Sequence, residues 1–155
     1  MARSLLICID PGNVSGLACF IDGVLYTAQS YDTRLPQYAS VARCLSWLGT
    51  TSGFDCRAVG EMPEIYPNQS NPVAILKLAK NLGRWQEALA AHGFAWSDRK
   101  PGDWKGQVPK PVHHRRVLAA LQPAERAIAE GLPRSTAEHA LDAIGLGLVT
   151  LLRMR

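Results

Sequence analysis

Three acidic residues lie at the ends or in the middle of strongly apolar segments of this 155-residue chain. Asp10 ends one apolar stretch and is followed at once by a Pro-Gly turn, and Glu61 ends a second stretch. Asp142 interrupts the most apolar helical segment. A carboxylate beside buried chain is costly unless a cation or hydrogen-bond donors compensate it. Three of them in one small chain therefore predict a shared metal site.

The metal chemistry that this site would support is phosphodiester hydrolysis. His139 precedes Asp142 by three residues, so both side chains lie on one face of a helix. Carboxylate oxygens with one imidazole suit Mg²⁺ or Mn²⁺. Two such ions, bridged by Asp10, would activate a water and stabilise the leaving oxygen. We therefore assign catalytic and metal-binding roles to Asp10, Glu61, His139 and Asp142, with two ions per site.

Two nearby carboxylates are alternatives to these ligands. Glu64 follows Glu61 by three residues, beyond a proline, and is expected to be a solvated loop residue. Glu138 adjoins His139, but the run 135–138 (Ser-Thr-Ala-Glu) matches a capping box, in which Glu138 reaches back to the backbone of Ser135. Both Asp10 and His139 also have a non-functional interpretation. Asp10 could cap its own turn, and His139 could be an ordinary surface residue.

Hydrophobic alternation and turn signals place these residues in a mixed sheet. Strands are predicted over 4–10, 14–20, 24–29, 56–61 and 94–97, with Asp22-Gly23 as a hairpin turn. A helix from Pro36 to about Gly49 makes the fourth strand a parallel neighbour of the first. Adjacent strands lie about 4.8 Å apart, so Asp10 and Glu61 can share an ion.

The rest of the chain is predicted to be mostly helical. Helices are expected over 71–91, 112–121, 124–130 and 135–152, and the proline-rich segment 99–112 is expected to be a loop. The expected fold is α/β: one domain spanning 1–155, with a five-stranded sheet of three antiparallel strands followed by two parallel ones. Helices should cover both faces of the sheet.

Charge and composition favour a polyanionic partner. Residues 1–77 contain five Lys/Arg and six Asp/Glu, whereas residues 78–155 contain twelve and seven. A basic half beside an acidic cluster fits a nucleic acid whose phosphates meet cations everywhere except at the metal site. The spacing of the four cysteines fits buried thiols better than zinc ligands. With no membrane-length apolar run or signal sequence, we expect a cytoplasmic protein without an organic cofactor.

These motifs together resemble the RuvC family of Holliday junction resolvases, which has the RNase H-like fold. The likeness covers nearly the whole chain. It rests on Ile9-Asp10-Pro11-Gly12 after the first strand, Glu61 after the fourth, His139-x-x-Asp142 in the last helix, Asn71-Pro72 opening a helix with Leu78 to Gly83, and Trp104-Lys105 preceding Lys110 and a basic helix.

The resemblance implies a specific activity and assembly. It implies a homodimer joined largely through the long helix after the fourth strand. This dimer would nick two opposing strands of a four-way DNA junction symmetrically, using Mg²⁺ or Mn²⁺. Family members often carry an aromatic residue after the strand-4 glutamate that wedges into the junction centre, and Tyr66 is the candidate here.

Basic side chains of the second half are expected to contact DNA. Lys77, Lys80 and Arg84 share one helix face, for which a solvated surface is the alternative. Trp104 is either a packing anchor of its loop or a base-stacking residue. The densest cationic cluster, for which we prefer phosphate contact, comprises Lys100, Lys105, Lys110, His113, His114, Arg115 and Arg116.

Three other functions fit parts of the sequence. One is another RNase H-like nuclease that acts on flaps or RNA–DNA hybrids, and another is a non-catalytic junction-binding protein. The hairpin at 10–16 also resembles the phosphate-binding hairpin of actin-like sugar kinases. That fold is duplicated and needs a much longer chain, so it is the weakest of the three.

Overall fold

Five strands form one mixed sheet in the computed structural model of the protein, which describes residues 2–33, 53–64 and 71–154. The strands are β1 (Arg3–Asp10), β2 (Val14–Ile21), β3 (Val24–Asp32), β4 (Phe54–Glu61) and β5 (Ala95–Arg99). Their order is β3-β2-β1-β4-β5. β1 to β3 are antiparallel, and β4 and β5 run parallel to β1. The predicted sheet is confirmed. The helix predicted from Pro36 and the residue Tyr66 lie outside the described residues.

Five helices accompany the sheet in the described part of the chain. They are α1 (Pro72–Ala91), α2 (Pro101–Trp104), α3 (Lys110–Ala120), α4 (Pro123–Glu130) and α5 (Ala137–Thr150). The prediction of a loop over 99–112 was wrong in part, because the segment contains α2 and the start of α3. Pro101 and Pro111 occupy first helical turns, where a missing N–H costs no hydrogen bond, and Pro109 immediately precedes α3. None of the described helices is long and apolar enough to cross a membrane.

The hydrophobic core lies on both faces of the sheet. Side chains alternate along β1, so Leu6 and Cys8 pack towards α3, α4 and α5. Ile7 and Ile9 point to the opposite face, where they pack with Trp85 of α1. Because both faces of β1 are covered, the strand reads as an unbroken apolar run that only Asp10 ends. The prediction of helices on both faces is confirmed.

The capping box predicted at 135–138 was wrong. Thr136 precedes α5 without a capping hydrogen bond from its side chain. Glu138 instead contacts the Lys110 ammonium, with Oε2 and Nζ 3.1 Å apart. The glutamate that does reach back over a helix start is Glu125, whose Oε2 accepts from the Gln122 N–H at 2.9 Å. Glu138 therefore pairs with Lys110 of α3 instead of capping the start of its own helix.

Glu125 also anchors the C-terminal end of the described chain to the β2–β3 hairpin. Its side chain is 1% exposed and accepts from Arg153 Nη1 at 2.7 Å and Nη2 at 2.6 Å. The Leu25 N–H donates to Oε1 at 2.7 Å. Burial alone would raise the pKa of Glu125, but the Arg153 guanidinium and the amide donors lower the pKa to about 2.

We predict that Glu125→Gln destabilises the protein in a pH-dependent way. The pKa of about 2 in the folded protein lies below the usual 4.5, so the carboxylate stabilises fully above pH 4.5 and progressively less as the pH falls towards 2. The free energy of unfolding at pH 7 should drop by about 3 kcal/mol. Urea unfolding at pH 7 and pH 3 measures it, with the larger loss expected at pH 7.

The exposed Glu130 of the same helix provides the control. Glu130→Gln should change the unfolding free energy by less than about 0.5 kcal/mol. Equal losses for Glu125→Gln at both pH values would contradict the assigned carboxylate role.

Candidate metal centre

Asp10 and Glu61 lie side by side at the carboxyl ends of two parallel strands. β1 pairs with β4 so that Ile9 is beside Gly60, which makes the two following acidic residues neighbours. Asp10 is 7% exposed, and the side chain of Glu61 is mostly buried. Ligands of α/β sheets bind at such strand ends. The predicted placement of both carboxylates is therefore confirmed.

The turn after Asp10 is held by α1. The carbonyl oxygen of Gly12 accepts from Asn81 Nδ2 at 2.8 Å and from Thr33 Oγ1 at 2.9 Å. Trp85, one turn beyond Asn81, fixes the same helix in the core. Sequence reasoning missed Asn81, although a polar residue four positions before a core tryptophan was an available signal. Through this contact α1 positions the backbone that carries Asp10.

The last helix brings His139 and Asp142 to the same strand end. α5 crosses β2 at Gly16, which pairs with Asp10. A Cβ on Gly16 would collide with the His139 carbonyl, so glycine is what allows the close crossing. His139 Nδ1 lies 3.3 Å from Asp10 Oδ2. Asp142, 4% exposed, follows one turn later on the same face.

Counter-ions for these carboxylates come from one stretch, residues 105–114, which we call the cationic segment. Lys105 Nζ lies 2.8 Å from Glu61 Oε2. Lys110 Nζ lies 3.3 Å from Asp142 Oδ2, and His114 Nε2 lies 2.9 Å from Asp142 Oδ1. Three residues that the sequence analysis assigned to DNA phosphates are thus in contact with the acidic cluster.

The carboxylates are close enough to influence one another's pKa. Burial raises the pKa of Asp10, and the charge of Asp142 raises it further against the hydrogen bond with His139. Burial also raises the pKa of Glu61, the Asp10 charge adds to the rise, and Lys105 opposes it. For Asp142, burial is outweighed by the His114 hydrogen bond and two ammonium groups, so its pKa is lowered. Lys105 acts favourably on all three carboxylates.

The donor chemistry of the cluster fits a hard divalent cation. β1, β4 and α5 each contribute a mostly buried carboxylate, and oxygen ligands of this kind suit Mg²⁺ or Mn²⁺. Glu61 Oε2 has the Lys105 ammonium as an ion-pair partner but no donor in hydrogen-bond geometry. Among residues 2–33, 53–64 and 71–154, no three His, Cys, Asp or Glu side chains are close enough to hold a metal in this conformation. Among the described side chains, Lys105 is the cation whose charge acts on all three carboxylates.

Behind Asp142, His113 and Trp104 form a buried support. Trp104 is 6% exposed and meets the His113 ring edge-on, with centroids 5.1 Å apart. Trp104 therefore packs its loop and offers no open face to a base. Burial lowers the pKa of His113, whose Nε2 lies 4.0 Å from Asp142 Oδ1. Lys105, Lys110, His113 and Asp142 border a cavity of about 180 Å³.

The other candidate DNA contacts lie on the open surface. They are Lys77, Lys80 and Arg84 on α1, Lys100 before α2, and Arg115 and Arg116 on α3, all exposed. Lys77 also borders a cleft of about 300 Å³ beside Asn13 of the Asp10 turn. These positions are accessible to a polyanion, and their role stays a prediction.

We predict that Gly16→Ala separates His139 from Asp10. The added methyl would push the first turn of α5 off β2, which should lower the free energy of unfolding by about 2 kcal/mol or more. The hydrogen bond to Asp10 is the main cause that raises the pKa of His139. NMR titration of metal-free protein should therefore show a lower pKa for His139 in the variant.

Gly83→Ala is the matched control, because a Cβ at that helical position meets no atom within 4 Å. It should leave the His139 titration unchanged and not destabilise the fold. A His139 pKa unaltered in Gly16→Ala would show that the close crossing does not position His139.

Comparison with known proteins supports the fold. No family model matches the chain, and no curated protein matches it. Among solved structures, Thermus thermophilus RuvC aligns with 97% of this chain and 98% of its own at a TM-score of 0.59 and 16% identity. T. thermophilus RuvC in complex with Holliday junction substrate covers the same shares at a TM-score of 0.52 and 17% identity. The chain therefore has a RuvC-like fold, as the sequence predicted.

Proposed function

We propose that this chain with a RuvC-like fold is a Mg²⁺- or Mn²⁺-dependent endonuclease that resolves four-way DNA junctions. One observation carries the proposal: Asp10, Glu61 and Asp142 come from three separate elements and lie near enough for the charge of Asp142 to raise the pKa of the other two, beside a cationic segment that contacts Glu61 and Asp142. A neighbour with the same fold is titled as a complex with Holliday junction substrate, which points to branched DNA as the class of ligand.

The four predicted site residues would have different roles at the metal. Asp10, Glu61 and Asp142 would hold it, and His139 would be a further ligand or would orient the attacking water. Bound Mg²⁺ or Mn²⁺ supplies charge stabilisation for the scissile phosphate and lowers the pKa of a water. Burial of the carboxylates keeps bulk water from competing for their oxygens.

The remaining polar residues of the site would position these groups and the DNA. The hydrogen bond between His139 Nδ1 and Asp10 sets the orientation of the imidazole ring. It also raises the pKa of His139, so the ring would have to lose its proton before serving as a metal ligand. His114 orients Asp142 through Oδ1. Three exposed cations flank the cationic segment in sequence: Lys100, Arg115 and Arg116. They would bind backbone phosphates on either side of the cleaved bond.

We predict that Asp10→Asn abolishes nicking but keeps junction binding. The variant loses the charge that holds the metal, whereas the proposed phosphate contacts lie on other residues. A synthetic four-way junction with end-labelled strands, incubated with Mg²⁺, Mn²⁺ or EDTA, measures cleavage, and a gel-shift assay measures binding. Asp55→Asn, at the opposite end of β4, is the control and should cleave like the parent protein.

The pattern of products decides between the candidate activities. Symmetric, religatable nicks in opposing strands would support junction resolution. Cleavage of a flap or an RNA–DNA hybrid in preference to the junction would replace this proposal with the other RNase H-like activity. Binding without cleavage under any metal would leave a junction-binding protein.

We further predict a homodimer, since paired nicking of a two-fold junction needs two active sites related by a two-fold axis. The helix α1 that would form the interface exposes Val73 by 57% and Leu76 by 69%. Sedimentation should therefore give about twice 16.9 kDa. Leu76→Asp should yield monomers, because it buries a charge at the interface.

Leu152→Asp is the control for this experiment. Leu152 is 88% exposed and lies beyond α5, so the substitution should leave the dimer intact. A parent protein that sediments as a monomer at micromolar concentration would contradict paired nicking by a stable dimer.

A further inference from the structure

The two lysines of the cationic segment form ion pairs with carboxylate oxygens that the proposed metal would bind. The Lys105 ammonium is 2.8 Å from Glu61 Oε2, and its charge also lies over the Trp104 ring, 4.9 Å from the centroid. The Lys110 ammonium bridges Asp142 Oδ2 at 3.3 Å and Glu138 Oε2 at 3.1 Å. Both lysines therefore serve as counter-ions of the acidic cluster.

We propose that Lys105 and Lys110 are exchangeable counter-ions, which must leave Glu61 and Asp142 before a divalent cation can be held there, and which then become available to DNA phosphates. This inference rests on the proposed metal-dependent function. It deepens that function by coupling metal binding to DNA binding through two named side chains.

Competition for the carboxylates follows from distance and charge. A hard cation would approach the same oxygens to about 2.0–2.6 Å. An ammonium group 2.8 Å from Glu61 Oε2 would then be within a few ångströms of a second positive charge. Repulsion at that range is strong where water is largely excluded. The two cations therefore cannot both occupy the contact, and the metal affinity of DNA-free protein should be reduced.

The exposure of the two lysines and a neighbouring cavity leave room for their side chains to change rotamer. Lys110 is exposed at the start of α3, and Lys105 is partly exposed. The cavity of about 180 Å³ lies between the two side chains. Small rotamer changes can thus turn both ammonium groups from the carboxylates to the surface.

Released lysines would link the two binding events. Lysines paired with carboxylates are unavailable to phosphates, and lysines paired with phosphates leave the carboxylates uncompensated. By thermodynamic linkage, metal should tighten DNA binding and DNA should tighten metal binding by the same factor. If the lysines only contacted DNA, or only stabilised the fold, replacing them would not change the coupling between metal binding and DNA binding.

Mn²⁺ binding to DNA-free protein, followed by electron paramagnetic resonance, tests the exchange directly. Lys105→Met should bind Mn²⁺ about tenfold more tightly than the parent, because the competing charge is gone. Lys105→Arg retains the charge and should bind as weakly as the parent. Arg134→Met removes an exposed cation that has no place in the proposed site or DNA interface, and it should also leave Mn²⁺ affinity unchanged. The gain in Lys105→Met should persist at about 0.5 M KCl, where long-range fields are screened.

Junction affinity tests the linkage. Ca²⁺ can stand in for Mg²⁺ while the gel-shift assay is run, with EDTA as the metal-free condition. Ca²⁺ should tighten junction binding by the parent by about fivefold or more. In the Lys105→Met/Lys110→Met double variant only the direct attraction between metal and phosphate remains, so the tightening should be clearly smaller, and an equal effect in both proteins would contradict the linkage through the lysines. Thermal unfolding in EDTA checks that each variant is folded. Lys110→Met alone serves as a second test of the Mn²⁺ affinity if Lys105→Met does not fold.

The possible outcomes separate this inference from the proposed function. Equal Mn²⁺ affinity in the parent and in folded Lys105→Met or Lys110→Met would overturn the exchange, while metal-dependent nicking could still stand. Absence of Mn²⁺ binding in parent and variants alike, together with absence of cleavage, would overturn the proposed metal-dependent function itself.

Discussion

The need to compensate three converging carboxylates governs the architecture of this protein. Asp10, Glu61 and Asp142 end or interrupt buried elements, and each adds to the electrostatic cost of the others. Such a cluster is stable only if positive charge is brought to it. The cationic segment supplies that charge from a single connection, so the loop between β5 and α3 is as much a part of the acidic site as the strands are.

The scaffold around the cluster achieves rigidity by close packing and by a few buried polar contacts. Asn81 holds the turn after Asp10 from the opposite side of the sheet. Gly16 lets α5 approach β2 closely enough for His139 to reach Asp10. Far from the site, Glu125 and Arg153 secure the end of the described chain with a similar buried charge pair. The fold thus tolerates buried charge wherever the partner is equally well positioned.

A RuvC-like fold alone does not determine what this chain does, because one fold can host unrelated activities. At 16% to 17% identity to the aligned RuvC structures, only the side chains of the site can indicate a particular chemistry. In their arrangement, Glu61 and Asp142 are each paired with a cationic side chain. That balance suggests that the site responds to its ligands jointly, because altering the partner of one carboxylate changes the electrostatics of all three.

The sequence by itself determined the strands, the parallel pairing of β1 with β4 and the positions of Asp10 and Glu61 at strand ends, since hydrophobic periodicity, turn residues and a long crossover can be recognised along the chain. The position of β5 beside β4 came from the tertiary structure. The sequence did not predict that α3 begins at Lys110, because a proline-rich segment is typical of a loop. It also assigned the capping role to Glu138, whose actual partner, Lys110, is distant in sequence. Only the tertiary structure decided that Lys105, Lys110 and His114 turn inward to the carboxylates. Which charge meets which depends on through-space distance, and residues remote in sequence acquire that distance only when the chain is folded.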